Sequence, residues 1–480
     1  MYKNAKSCVK NETMISGIFA CNMGVRQGEN LSPLLFSIFL NDFQETLSKK
    51  YNGLTEINTL SNVLSTDEMA FYINMFVLLY ADDTLVLAES PNELQNAMDE
   101  VHSYCQKWSL RISTDKVKGK SKTRVVIFSK GKVKTEYNFK MGEKKIETDT
   151  DYCYLGVTFN FNGKFTKAIA GRISEARKSL FSLNSKAGRL QLPPDIHIDL
   201  FHKLVLPICM YGCEVWGYAN LEKLEIFYRK FLKRVLCLNK STPNCVVYGE
   251  TGTVPISNLT NKKMISFWIK VSEGKQSKLS TSFYKLIYKL HLNDIYHSPW
   301  LMKIKNLLCS SGNPSFWFNQ ELFPSKIFMK NILSKQLEDQ YVQGWNLEVA
   351  QNRKCNNYRI FKEKHCFEKY LLVELNFLER TALCHLRTGN HKLPISKQRY
   401  NNDDDVDVDC PLCEKNAICD EFHVIFECKF FDETRKTLLK KFYYNRPNTL
   451  KMSILFNTDS PKELKNLGKF AKIILSQFKT

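Results

Sequence analysis

The amino-acid sequence predicts an α+β fold, rich in strands over its first third and helical beyond it. Two apolar runs, Met75–Tyr80 and Thr84–Leu87, flank a short acidic turn and read as a hairpin. Past residue 165 apolar residues recur at helical spacing, most clearly at Ile169, Ile173, Ala176, Leu180, Leu183, Ala187 and Leu190. No run of about 18 apolar residues occurs, so no membrane-spanning helix is expected.

The first helix follows a turn, Gly28-Glu29-Asn30-Leu31-Ser32-Pro33. Ser32 suits an N-cap and Pro33 a first helical residue. Leu34, Leu35, Ile38, Phe39, Phe43 and Leu47 then supply one apolar face. After the hairpin, residues 91–110 read as a helix that starts at Pro91 and turns Leu94, Met98, Val101 and Cys105 inward. Arg124–Phe128 and Tyr152–Phe161 read as strands. The long helix of residues 166–190 stops at Leu192-Pro193-Pro194. Leu221–Cys237 and Phe367–Arg387 are further helical patterns. An acidic linker, residues 403–409, leads to a Cys/His segment and a basic tail.

A chain of 480 residues accommodates several domains, and 44% apolar residues exclude wholesale disorder. Lys and Arg total 69 against 49 Asp and Glu, a net charge of +20. That excess favours a polyanionic partner. Met1-Tyr2-Lys3-Asn4-Ala5-Lys6 has none of the apolar character of a secretory signal. The 16 cysteines therefore read as free thiols or metal ligands, most of them, such as Cys209 and Cys213, as small buried hydrophobes.

Two constellations carry chemistry. The first is Asp82-Asp83 at the hairpin tip. Nucleotidyl transfer commonly uses two divalent ions about 3.5–4 Å apart, and hard ions such as Mg²⁺ seek carboxylate oxygens. Neighbouring strand residues face opposite ways, so Asp82 is expected as the primary ligand and Asp83 as the lesser. A solvated acidic turn is the plainer reading of this pair alone. The second is Cys410-Pro411-Leu412-Cys413 with His423 and Cys428, a C-x2-C-x9-H-x4-C pattern suited to structural Zn²⁺. Cys419 is an alternative ligand. Between them, Lys116, Lys118, Lys120, Lys122, Arg124, Lys130, Lys132 and Lys134 form a basic run suited to phosphates.

The order of motifs resembles that of reverse transcriptases of LINE-type (non-LTR) retrotransposons. Gly24-Val25-Arg26-Gln27-Gly28-Glu29-Asn30-Leu31-Ser32-Pro33-Leu34-Leu35-Phe36 resembles motif B, and Tyr80-Ala81-Asp82-Asp83 the catalytic hairpin. Trp108–Ile112 with the following lysines is similar to motif D, Tyr154-Leu155-Gly156-Val157 to the primer-grip motif E, and Leu206–Gly217 to the thumb region. Arg387–Ile395 and the Cys/His spacing are also family-like. The resemblance implies that Asp82 and Asp83 bind Mg²⁺. It implies that Arg26, Gln27, Gly28, Ser32 and Pro33 line the nucleotide and template site, and that Tyr154, Leu155 and Gly156 hold the primer end. The motif D lysine is Lys122 by its following Thr123, or Lys116 by distance.

The implied architecture is a partial palm over residues 1–165, a helical thumb over 166–240, a helical C-terminal region over 241–402, a zinc-knuckle-like segment over 403–440 and a basic tail over 441–480. The implied reaction is RNA-directed DNA synthesis on an RNA template and a DNA primer or target, in the nucleus and away from membranes. Family members carry a further metal-binding aspartate in motif A. The 23 residues before Gly24 hold no Asp, and Glu12 is their only acid. The fingers and motif A are thus expected to be absent, the chain truncated, and its polymerase activity slight in isolation. The competing expectations are a non-catalytic nucleic-acid-binding remnant and a relic without a role.

Overall fold

The computed structural model describes residues 6–478 apart from 13, 22–23, 26–27, 50, 52, 55–58, 118–119, 130, 132–136, 275–277, 321–323, 402–407 and 414–416. The chain forms two compact units. One comprises residues 1–152, 160–163 and 276–296; the other comprises 153–159, 164–275 and 297–480. Helix and sheet are both present, and among the described residues the sheets are small and lie in the first third of the chain. No helix among the described residues is long and apolar enough to cross a membrane.

In the first unit the helix expected after Ser32 is two helices, Ser32–Phe39 and Phe43–Ser48. Leu31, not Ser32, stands at the N-cap, and Pro33 lies in the first turn. The break at Leu40–Asp42 has a cause downstream, because Asp42 accepts the Tyr104 hydroxyl at 2.6 Å. Phe43 and Leu47 are buried with Tyr51, Phe76 and Tyr104. The acidic hairpin is formed by Val77–Tyr80 and Asp83–Val86, antiparallel, with Tyr80 opposite Asp83.

The helix Pro91–Lys107 follows. Ser90 and Glu93 cap it reciprocally: the Ser90 hydroxyl accepts the Glu93 N–H and the Glu93 carboxylate accepts the Ser90 N–H. Its Met98 packs with Val125, Phe139, Met141 and Ile146 of a three-stranded sheet. There Lys144–Asp149 lies between antiparallel Phe139–Met141 and parallel Arg124–Val126. The helix Leu279–Leu292, far downstream in sequence, also belongs to this unit.

The strand expected over Tyr152–Phe161 is instead a hairpin, Asp151–Tyr154 and Val157–Asn160. Leu155 and Gly156 both adopt left-handed backbone, φ +46° and +76°, which closes a two-residue turn.

The second unit is helical. Thr166–Arg189 buries the expected stripe of Ile169, Ile173, Ala176, Leu183 and Ala187. Leu190, at its C-cap, is exposed. Phe201 from Pro194–Leu204 stacks on Phe231 from Glu222–Val235, ring centroids 4.0 Å apart. The pattern read as a helix from Phe367 is α-helical only over Phe377–Thr388, with a single 3-10 turn at Lys369–Leu371 before it. Phe367 pairs with Thr251 instead, and the Glu368 N–H donates to the Glu250 carbonyl at 3.0 Å. Gly252 permits this approach, since a Cβ there would strike the Phe367 backbone nitrogen. The stretch read as a basic tail carries the helix Pro461–Ser476, whose Leu464, Leu467, Phe470, Ala471 and Ile474 are buried. Its lysines occupy the other face. All 16 cysteines are free, with Cys209 and Cys213 buried.

Candidate active site and metal centre

The hairpin register leaves Ala81 and Asp82 as its two-residue loop, with Asp83 opening the return strand. Ala81 sits at φ +52°, in the left-handed region that disfavours any residue with a Cβ. The turn therefore stores strain where glycine or asparagine would be ordinary, a feature seen where a side chain must be held in a set place. Asp82 and Asp83 are both exposed. Among the described residues no third His, Cys, Asp or Glu joins them in a ligand cluster.

Arg26 and Gln27 lie outside the described residues. Gly28 has φ +92° with open space around it, so the backbone conformation, not crowding, selects glycine. Ser32 is buried. Lys122 is exposed in a turn, its N–H donating to the Asp115 carbonyl at 3.1 Å. The Lys116 side chain lies outside the described residues, as do Lys118, Lys130, Lys132, Lys134 and the side chain of Lys120. Most of the acidic linker does too.

Leu155 and Gly156 belong to the second unit, as does Tyr154. Tyr211 braces their turn by donating its hydroxyl to the Leu155 carbonyl at 2.9 Å. A Cβ at Gly156 would stand 3.1 Å from the Tyr211 ring. Arg172, from the long helix, places its guanidinium 5.5 Å from that ring's centroid. Tyr211 lies inside the thumb-like motif, but its service to Leu155 was not readable from sequence.

The C-terminal cluster assembles as the spacing predicts. One ligand atom from each of Cys410, Cys413, His423 and Cys428 lies within 4.8 Å of all the others. Cys410 Sγ is 3.9 Å from Cys428 Sγ, and Cys413 Sγ is 3.4 Å from His423 Nε2. The His423 carbonyl accepts the Cys428 N–H at 2.8 Å across a π-turn, which aligns two residues that an α-helix would rotate apart. His423 Nδ1 faces the Glu427 carboxylate at 3.6 Å. Burial first, then the neighbouring Cys410, pushes the Cys428 thiol up to about 12. Bringing these thiols together as thiolates therefore calls for a cation, and the group could hold a metal ion. Cys419 is buried beside them but outside the four.

Two buried charge networks surround this segment, and no residue spacing revealed either. Glu421 accepts His391 Nε2 at 2.9 Å and Arg399 at 2.6 and 3.0 Å, and also takes the Asn357 amide. Further in, Arg387 donates twice to Glu250, at 3.1 Å each, and once to Glu368 at 2.6 Å. Lys362 pairs with Glu368. Burial alone would raise Glu250, but Arg387 and Lys362 outweigh it and hold its carboxyl below the usual range. Arg387 lies within the Arg387–Ile395 stretch singled out above, which was the only clue.

Residues 3–159 match the family described as reverse transcriptase (RNA-dependent DNA polymerase). The chain is 26% identical over 226 residues to the RNA-directed DNA polymerase from mobile element jockey of Drosophila melanogaster, covering 44% of this chain and 22% of that protein. It is 23% identical over 275 residues to the Pol polyprotein of the type-2 retrotransposable element R2DM of the same species, covering 54% of this chain and 23% of that protein. A transposon-derived protein of Caenorhabditis elegans is 25% identical over 165 residues, 34% of this chain and 57% of that protein. The chain thus spans under a quarter of the jockey and R2 relatives it matches. By these relationships and its ordered motifs, the chain is similar to reverse transcriptases of LINE-type, non-LTR retrotransposons, with the family match in residues 3–159.

Proposed function

We propose that this chain serves RNA-directed DNA synthesis in a non-LTR retrotransposon, with Asp82 and Asp83 as ligands for catalytic Mg²⁺. The observation that carries the reading is the strained Ala81-Asp82 loop presenting two adjacent, exposed carboxylates inside the matched domain. Divalent ions bound there would balance the charge that develops at the transferred phosphorus. Asp82 and Asp83 hold the ions. Gly28 lets the backbone come close to nucleotide or template, with Arg26, Gln27, Ser32 and Pro33 beside it. Tyr154, Leu155 and Gly156 hold the primer end, braced by Tyr211. Lys122 or Lys116 faces the incoming triphosphate. Residues 1–165 act as a partial palm, 166–240 as thumb and 241–402 as a helical C-terminal region. The substrates are an RNA template and a DNA primer or target, and target-primed synthesis sets the work in the nucleus.

Two metal ions need more carboxylate than Asp82 and Asp83 supply. We therefore expect the 480-residue polypeptide alone to extend primed RNA slowly or not at all. Fusing it behind the upstream part of the jockey polymerase should raise extension, and Asp82→Asn should abolish the gain. A fusion whose extension ignores Asp82→Asn and Asp83→Asn overturns the assignment.

The Cys/His cluster holds Zn²⁺ in this proposal. A tetrahedral ion with Zn–S bonds of about 2.3 Å sets its sulfurs about 3.8 Å apart, against 3.9 Å between Cys410 and Cys428. The donor set of three thiolates and one imidazole is typical of structural zinc. Metal analysis of the purified chain should find zinc that Cys410→Ser/Cys413→Ser removes; equal zinc in both sinks the site. The net charge of +20 with the Cys/His segment also supports a second reading, nucleic-acid binding without synthesis.

A further inference from the structure

Among the described residues the acidic hairpin has two strands and an exposed tip. Such a hairpin is marginally stable alone, so its geometry depends on what holds its base. That base is continuous with the helix Thr66–Ile73, which runs through a tight turn at Asn74–Phe76 into Val77–Tyr80. Eight residues are too few for a stable helix in water, and none of the eight is buried.

Tyr72 and the Ile73 carbonyl tie it to the core around Phe43 and Leu54, and further support comes from Leu279–Leu292. Leu286 and Leu290 are buried with Leu64, and Met69, Phe71, Tyr72 and Ile73 pack against them. Lys289 Nζ lies 2.6 Å from Glu68 Oε2. The same oxygen accepts the Ser65 N–H at 2.8 Å and the Ser65 hydroxyl at 3.0 Å. One carboxylate oxygen thus closes the capping box that starts the short helix and also receives the downstream lysine.

We propose that the helix Leu279–Leu292 is a positioning clamp for the Asp82–Asp83 turn, with Leu286, Leu290 and Lys289 as its positioning residues. The clamp acts through the Thr66–Ile73 helix and touches neither substrate nor ions. It rests on the reading of Asp82 and Asp83 as ligands for divalent ions.

The test uses the full chain, with Leu286→Asp/Leu290→Asp, the milder Lys289→Ala, and Leu286→Met/Leu290→Met as the conservative control. Amide hydrogen exchange is measured by mass spectrometry. Fe²⁺ then replaces Mg²⁺, and ascorbate with peroxide cuts the backbone beside bound iron. In the aspartate variant, exchange across residues 60–87 should rise about tenfold while that of 91–107 and 166–189 holds. Iron cleavage beside Asp82 should fall about fivefold in the aspartate variant, less in Lys289→Ala, and recover in the methionine control. Faster exchange with undiminished cleavage overturns the clamp and leaves a merely structural contact. Unchanged exchange in both charged variants overturns it too. If the unaltered chain shows no cleavage beside Asp82, the divalent-ion reading itself falls, and the clamp with it.

Discussion

Arg387→Met is the sharpest perturbation of the second unit. The guanidinium is buried among the rings of Phe361, Tyr370 and Phe456, with centroids 4.7, 5.1 and 5.5 Å away. It is bound to Glu250, Glu368 and the Phe456 carbonyl. Arg387 and Lys362 balance Glu250 and Glu368. Methionine keeps the apolar bulk but leaves two carboxylates facing Lys362 alone. Breaking a buried pair from one side costs about 3–5 kcal/mol. Glu250→Gln added to Arg387→Met restores neutrality, so the double variant should be less unstable than the two losses added, with a coupling of about 2 kcal/mol. Urea unfolding followed by tryptophan fluorescence reads this unit, since Trp216, Trp268, Trp317 and Trp345 are all buried in it. A loss below about 1 kcal/mol for Arg387→Met, with additive singles, would refute the network's role.

Ala81→Gly should relieve the left-handed strain and stabilise the hairpin by about 1 kcal/mol, seen as slower exchange at residues 77–86; faster exchange contradicts the strain argument. Gly156→Ala forces a Cβ to left-handed backbone and toward Tyr211, and should lower second-unit stability by about 1–2 kcal/mol in urea unfolding. Burial lowers the pKa of His197, His202, His365 and His385, so the folded unit refuses protons that the unfolded chain takes up below about 6.5. Stability is then full above that pH and falls on acidification toward pH 5, by up to about 1.4 kcal/mol per pH unit for each proton withheld. Melting the chain at several pH values checks the sign. Chelating the proposed Zn²⁺ should expose residues 408–413 and 417–428 to protease; unchanged digestion contradicts a structural ion.

The elements legible in sequence are those whose signal is local. The Cys410, Cys413, His423 and Cys428 spacing and the Ile169–Ala187 stripe are short-range patterns that spacing alone picks out, whereas the Asp82-Asp83 tip stands out only beside the neighbouring motifs. The partners of Arg387 are scattered along the chain, Glu368 19, Phe456 69 and Glu250 137 positions away, and no spacing rule reaches that far. The Leu155–Gly156 turn was hidden because the apolar pattern continues through it, and only the backbone angles reveal two strands. In the last helix, lysines on the outer face masked the buried stripe from Leu464 to Ile474. The role of Leu286 and Leu290 was equally invisible, since their helix joins the first unit from far downstream.

The most direct measurement of the central claim is primer extension on an RNA template with Mg²⁺ by the chain fused behind the upstream part of the jockey polymerase. The account predicts DNA synthesis that Asp82→Asn removes and Asp83→Asn weakens. Synthesis indifferent to both substitutions would mean that this hairpin does not hold the catalytic ions.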